Sequence, residues 1–379
     1  MITGIICEYN PLHLGHKKQI DWVKARDPEG LVVCLMSGNY VQRGKPAIFD
    51  KMLRARAAVE CGADLVLELP LPYCLSSAEG FAAGGVSILG KFCDRLCFGA
   101  ETDNTQALFK IAQALLSRDF PPLLTQALDT GLSFPAARQA ALTQMDLDAQ
   151  LLSTPNNILA VEYCKAMIAQ GCSMKPMAIL RQGDYHDPVA DRENPSATAV
   201  RALMENGGAW ADFVPSEAHL QGNLHALEQG ERAILAKLRT MTDEEFAALP
   251  YGSEGLWRKL MHESRQKATL EEILTAVKSK RYTRTRLDRM VMCAFLGLTE
   301  QDLNRPVPYV RVLGFNDRGR QVLKLARQKG EFYNIGQTVD HPYQALETRA
   351  GRLYGLFATA PEAPDVESQY RVYYKTGID

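Results

Sequence analysis

Ile2-Thr3-Gly4-Ile5-Ile6-Cys7-Glu8-Tyr9-Asn10-Pro11-Leu12-His13-Leu14-Gly15-His16 decides the fold of this chain. Its first part, Ile2–Cys7, is short, apolar and followed by turn chemistry, which predicts a fully buried strand. Residues 17–25 then read as a helix, so the stretch is strand, tight loop, helix. A helix N-terminus offers backbone N–H groups and the positive end of the dipole, and both favour phosphate. Gly15 lets a ligand approach the backbone closely. His13 and His16 lie three residues apart, fall on neighbouring turns and can face one ligand. The pattern suits a nucleoside triphosphate.

Further out, residues 31–36 (LVVCLM), 64–68 (DLVLE) and 95–98 read as more buried strands. Residues 37–46 read as a loop, and Asp50 is placed to cap a helix running to Cys61. Residues 78–90 form a helix of small side chains. A fifth strand is expected over 177–181, with Pro176 at its start, because proline cannot sit inside a paired strand. Strands alternating with helices predict an α/β fold with a parallel sheet covered on both faces. Ligands of such sheets sit outside the carboxyl ends of the strands. The loops after Cys7, Met36, Glu68 and Phe98 are therefore expected to converge on one site. Residues 104–170 read as mostly helical. Gly207-Gly208 marks the expected domain boundary: 1–206 as the nucleotide-binding domain, 207–379 as a mainly helical region. Helices are expected there over 223–238, 243–249, 253–264, 270–277 and 284–296, and a last segment (309–314, then 318–329) reads as mixed α/β.

The length of 379 residues favours two domains. A formal net charge of −1 excludes a uniformly basic protein, so any nucleic-acid site must be a local patch. The nine cysteines are scattered and form no Cys-x-x-Cys pair, which points to a reducing cytoplasm rather than a disulfide scaffold or a zinc site. No apolar run reaches membrane-spanning length and no basic leader opens the chain. One patch does stand out: Lys278, Lys280, Arg281, Arg284, Arg286 and Arg289 face a single acid, Asp288, with Tyr282 among them. Basic side chains around an aromatic can bind backbone phosphates and stack an unpaired base, which makes Lys280, Arg281, Arg284, Arg286 and Arg289 the candidate RNA contacts. Such a run is also what a solvated helix face looks like. Arg43, Lys45, Lys51, Arg54 and Arg56 form a second basic region near the histidine loop, with Arg258, Lys259 and Arg311 as weaker candidates.

The loop Tyr9-Asn10-Pro11-x-His13-x-Gly15-His16 resembles the ATP motif of the nucleotidyltransferase superfamily, whose fold is Rossmann-like. Ser196-Ala197-Thr198-Ala199-Val200-Arg201 resembles its second element, a helix start with hydroxyls and an arginine for the β- and γ-phosphates. Ser196 and Thr198 could equally serve as plain helix caps. Longer stretches narrow the resemblance: residues 36–47 (MSGNYVQRGKPA), 98–101 (FGAE), 155–159 (PNNIL), 185–187 (YHD), 280–286 (KRYTRTR) and 309–316 (YVRVLGFN). Together they look like the bacterial tRNA(Met) cytidine acetate ligase family, over essentially the whole chain. That resemblance implies ATP as substrate with Mg²⁺ beside it, acetyl-adenylate and pyrophosphate as first products, and transfer of acetyl to N4 of the wobble cytidine of elongator tRNA(Met). It implies ATP contacts from Ile6, Cys7, Glu8, Tyr9, Asn10, Pro11, His13, Gly15, His16 and Gln19. It adds Gly99, Asn156, Asn157, Arg181, Ser196, Thr198 and Arg201, with His13 and His16 as the catalytic pair.

Cys7 and Glu8 depart from the glycine and hydroxyl residue that phosphate-accepting members carry before the loop aromatic. A carboxylate there opposes an incoming phosphate, and could instead hold Mg²⁺ or a lysine. The loop 182–184 (QGD) is more acidic than the usual family pattern. The runner-up reading is an adenylyltransferase for a small acceptor such as nicotinate mononucleotide or a phosphopantetheine compound. A third is an RNA-binding protein that only responds to nucleotide. No residue is an evident general base for the amine attack, and acyl specificity and oligomeric state stay open.

Overall fold

The computed structural model describes residues 1–181, 194–279 and 281–377, without the side chain of Gln221. The 185–187 and 182–184 motifs and Lys280 lie outside the described residues. The strands are β1 (Ile2–Cys7), β2 (Leu31–Ser37), β3 (Tyr40–Val41), β4 (Lys45–Pro46), β5 (Leu65–Leu69), β6 (Arg95–Ala100), β7 (Lys175–Leu180), β8 (Val310–Asn316), β9 (Phe332–Asn334) and β10 (Tyr373–Lys375).

β1, buried on both faces, pairs in parallel with β2 from Ile2↔Leu31 to Cys7↔Met36 and with β6 at Thr3↔Arg95. The sheet order is β10-β8-β5-β2-β1-β6-β7. Its five parallel strands thus run third, second, first, fourth, fifth in chain order, and the order reverses at β1. That reversal opens a crevice beside the carboxyl ends of β1 and β6. Period-2 alternation fills both faces. Val33, Leu35, Leu65 and Leu67 pack on one side under helices Ala78–Leu89, Pro155–Ala169 and Asp317–Arg327. Ile5, Cys34, Met36 and Val66 pack on the other under helices Leu14–Arg26 and Lys51–Glu60. Pro176 lies second in β7 rather than before it. β7 is an edge strand, so the missing N–H costs no ladder bond.

The sheet does not end with residue 206, and the expected division at 206/207 is cut across by the topology. β8 adds antiparallel to β5, and β9 and β10 share the far edge of β8. The physical reason is the edge of β5, which would otherwise expose a row of unpaired backbone groups. Buried Asp64 pins the addition: its carboxylate accepts Val32 N–H at 2.8 Å and Asn316 Nδ2 at 2.9 Å. Gly319 sits so close that a Cβ would lie 1.8 Å from the Asp64 carbonyl. Helices Glu231–Thr240, Leu256–Ser264, Leu270–Val277 and Arg284–Leu296 build a separate core around Leu238, Leu260, Leu274 and Met290. Residues 37–46, expected as a loop, form the β3–β4 hairpin. Tyr40 of that hairpin is buried in the helical core and donates to the Ala350 carbonyl at 2.9 Å.

Candidate active site

Helix Leu14–Arg26 begins with a capping box made of two histidines. His13 Nδ1 accepts Gly15 N–H at 3.1 Å, and His16 Nδ1 accepts His13 N–H at 3.3 Å. The rings stack with centroids 3.7 Å apart. A backbone N–H can only donate, so both Nδ1 atoms carry lone pairs, and a neutral ring must hold its proton on Nε2. The rings are neutral. Burial, then His16 and the guanidinium groups of Arg181 and Arg201, push His13 well below the usual histidine range. Burial, then Arg181 and His219, push His16 down to about 3. The loop therefore presents two uncharged Nε2–H donors side by side. Gly15 also makes room locally: a Cβ there would lie 3.0 Å from the His13 ring, so glycine lets the ring fold over the helix mouth. Of the amides at that mouth, Gly15 N–H is taken by His13 Nδ1, and His16 and Lys17 N–H both bond the His13 carbonyl. Imidazole and guanidinium groups therefore supply most of what the site offers an anion.

The rest of the loop is held by the surrounding elements. Tyr9 adopts φ 47°, which turns the chain sharply out of β1. The cost, ~1 kcal/mol, is offset by burial of its ring, whose hydroxyl lies 3.3 Å from Cys34 Sγ. Asn10 Oδ1 accepts Ile48 N–H at 2.7 Å, and the Asn10 carbonyl accepts from Arg201 at 2.6 Å. Arg54 is fully buried and gathers the loops after β1 and β2. It donates to the carbonyls of Phe49 (2.9 Å), Glu8 (2.7 Å), Ser37 (3.0 Å) and Gly38. Lys51 is likewise buried between Glu68 and Glu367. Neither belongs to a basic surface, which corrects the sequence expectation for both. Arg311 is also buried, against Glu347 at 3.2 Å.

A cleft of about 890 Å³ opens over the carboxyl ends of β1 and β6. It is lined by Ile6, Cys7, Glu8, Tyr9, Asn10, His13, Gly15, His16, Gln19, Gly99, Asn156, Arg181, Ser196, Thr198 and Arg201. Of the residues expected at the nucleotide, only Pro11 and Asn157 stand outside this lining. Asn157 is buried and its side-chain oxygen accepts Glu101 N–H at 2.9 Å, so it ties β6 to helix Pro155–Ala169. The Glu101 carboxylate caps that helix through Thr154 Oγ1 and Asn157 N–H. Burial opposes its charge, but these bonds and those from Asn156 hold it below the ordinary carboxylate range. Ser196 is the N-cap of helix Ala197–Glu205, accepting Ala199 N–H at 3.0 Å, and also faces the cleft.

Trp22 and Arg26 line the cleft too, with the guanidinium 3.6 Å above the indole. Sequence reasoning missed them, although they continue the helix face of Gln19 at helical spacing. It also missed residues 225–228, which pack against the hairpin region through His225 N–H to the Ile48 carbonyl at 2.9 Å. The cleft runs on past Glu8 to Arg43 and Lys45 of the hairpin and to Arg284, Thr285 and Asp288. Among the described members of the basic cluster, Arg284 is thus the one in this lining. It pairs with Glu271 at 2.6 Å and Asp288 at 2.9 Å. Arg281 pairs with Glu254 at 2.8 Å on the surface. Arg286 holds the Tyr251 carbonyl and Ser253. Arg289 is buried under Tyr251 and donates to the Gln42 carbonyl at 3.3 Å, which removes it from a surface contact.

Fold and site define a nucleotidyltransferase, and the family model described as HIGH Nucleotidyl Transferase matches residues 1–369. The chain is 37% identical to the tRNA(Met) cytidine acetate ligase of Clostridium novyi (strain NT) over 350 residues, 86% of this chain and 88% of that protein. It is 34% identical to the tRNA(Met) cytidine acetate ligase of Clostridium acetobutylicum, covering 94% and 95%. The apo crystal structure of Thermotoga maritima TmcAL matches with a TM-score of 0.90 at 26% identity, covering 99% of this chain and 100% of that one. The same protein bound with alpha-thio ATP matches with a TM-score of 0.87. The chain belongs to the tRNA(Met) cytidine acetate ligase family.

Proposed function

We propose that this protein is an ATP-dependent ligase that activates acetate and acetylates N4 of the wobble cytidine of elongator tRNA(Met) in the cytoplasm. An acetate oxygen attacks the α-phosphorus of ATP, the bond to the β-phosphate bridge breaks, and pyrophosphate leaves. The cytidine amine then attacks the acetyl carbonyl and AMP leaves. The observation that carries the reading is the pair of neutral Nε2–H donors at the sheet's reversal point, beside Arg181 and Arg201. Two donors meet phosphate oxygens as charge builds on them, and two guanidinium groups supply positive charge, so the protein positions and neutralises rather than forming a covalent bond. Arg201 and the Ser196–Thr198 helix start serve the β- and γ-phosphates. Gly99 and Asn156 serve the nucleoside end, and Arg181 serves the phosphates beside the two histidines.

Mg²⁺ fits as an ion carried on the triphosphate. Among the described residues no group of three His, Cys, Asp or Glu side chains could hold it alone, whereas Mg²⁺ commonly takes one or two carboxylates plus substrate phosphates. Bound there, the ion would neutralise charge on the phosphate oxygens. No helix among the described residues is long and apolar enough to cross a membrane. The continuation of the cleft to Arg43, Lys45 and Arg284 supports a macromolecular acceptor over a small one. Arg281, Arg284 and Arg286, with Lys280, would meet RNA phosphates.

The test is incubation of purified protein with labelled acetate, ATP and tRNA(Met). Label is expected in the tRNA only with ATP present and only when the wobble base is cytidine, with pyrophosphate released. Equal labelling of a tRNA with uridine at the wobble position would reject the acceptor, and full activity of His16→Ala would reject the site.

A further inference from the structure

The sheet order divides the cleft. Its β6–β7 side carries Gly99 and Arg181, and its β2 side carries the hairpin with Arg43 and Lys45. Glu8, the first residue after β1, stands between the two and lines the cleft. Its side chain is turned towards the hairpin, where Oε1 accepts Gln42 N–H at 2.7 Å. Its own carbonyl is gripped by buried Arg54 at 2.7 Å. The carboxylate is therefore fixed at both its backbone and its tip. Among the described residues no cation pairs with Glu8, and no hydrogen bond occupies Oε2.

An unpaired carboxylate beside a triphosphate and an acetate ion opposes both by charge. Activation gains nothing from it, whereas acyl transfer does. The N4 amine of cytidine has its lone pair delocalised into the ring and must lose a proton as it is acylated. We infer that Glu8 Oε2 accepts that proton, a role that rests on the acetyl-transfer reading above. The nitrogen–acetyl bond forms as the bond from the carbonyl carbon to the phosphate oxygen breaks. The electron pair of that bond leaves on AMP, the N4 proton passes to Glu8 and then to solvent, and no further reactant is needed. Glu8 then stands on the acceptor's side, with the nucleotide bound towards Gly99 and Arg181 and the RNA entering past the hairpin, as in the reading above.

The test compares the two half-reactions in Glu8→Gln, which keeps the oxygen that Gln42 N–H requires. Activation is read as acetate-dependent exchange of pyrophosphate into ATP, and as acetohydroxamate formed when hydroxylamine, a strong nucleophile, intercepts the acetyl-adenylate. Transfer is read as single-turnover acetylation of tRNA(Met). Transfer is expected to fall about 100-fold or more and to fall at least tenfold further than exchange and trapping, with the KM for tRNA little changed. Glu8→Asp, which keeps a carboxylate but withdraws it, is expected to fall between wild type and Glu8→Gln. Loss of exchange and transfer in equal measure would assign Glu8 to activation instead, and transfer at the wild-type rate would remove it from the chemistry. Absence of acetohydroxamate from the wild-type protein would overturn acetate activation itself, independently of Glu8.

Discussion

His13 both caps a helix and presents a donor, and two substitutions separate those functions. The ring is 2% exposed, accepts Gly15 N–H at 3.1 Å and stacks on His16 at 3.7 Å. His13→Ala removes the cap, worth about 1 kcal/mol, and the ring's packing, worth about 2 kcal/mol more. His13→Asn loses the packing but restores an N-cap oxygen, so it should be more stable than His13→Ala by about 1 kcal/mol. Catalysis should not follow that order. Neither variant places an N–H where Nε2–H stood, and loss of one donor to developing charge costs about 2.7–4 kcal/mol, a factor of 10² to 10³. Thermal unfolding and acetate-dependent pyrophosphate exchange, measured on the same preparations, read the two quantities. Exchange in His13→Asn within tenfold of wild type would refute the assignment of His13 Nε2–H to the phosphate. Equal stability of the two variants would refute the cap.

Arg54→Met should destabilise the protein by about 3–5 kcal/mol, because four carbonyls lose a buried charged donor; a Tm within a degree of wild type would remove Arg54 as the organiser of the loops. Arg281→Ala and Arg284→Ala should each reduce the slope of log K against log salt for tRNA(Met) by about 1 while ATP affinity holds. An unchanged slope for both would exclude phosphate contacts there. Burial, then Arg54, lowers His219 to about 4. A histidine depressed in the folded state favours folding above its unfolded value, and that stability is lost as pH falls from about 6.5 towards 4. The Tm advantage of wild type over His219→Gln should therefore shrink between pH 7 and pH 5, and a constant difference would contradict this. Burial, then Glu68, raises Glu347 to about 7, so its sign is opposite. The stability gained from its held proton is present at low pH and is lost as pH rises through 7. Wild type should lose ground to Glu347→Gln between pH 5 and pH 8, read as the difference in Tm.

Most of the parallel sheet was legible because its signals are local. Ile2–Cys7 and residues 31–36 are apolar runs of strand length, and Arg284–Leu296 has the bounds expected for it from the sequence. β8 was visible as an apolar segment but its partner was not, because β5 lies some 245 residues earlier in the chain. The hairpin was missed for a related reason: its two-residue strands are too short for a period, and Tyr40 is held by a distant helical core. Burial of Arg54, Lys51 and Arg289 was illegible because a cation's exposure depends on which carbonyls and carboxylates the fold brings to it.

The sequence by itself determined that a strand, a tight loop and a helix with two histidines form an anion-binding mouth, and that a small-residue helix and three further strands surround it. Only the tertiary structure decided what the mouth offers. The reciprocal cap fixes both Nδ1 atoms as acceptors, so the site presents two Nε2–H donors. The folded chain also brings the hairpin and the start of helix Arg284–Leu296 to the far end of the same cleft. Both outcomes follow from one physical fact. Spacing along a chain specifies local geometry, whereas the protonation, burial and facing of a side chain are set by groups that arrive from elsewhere in the sequence.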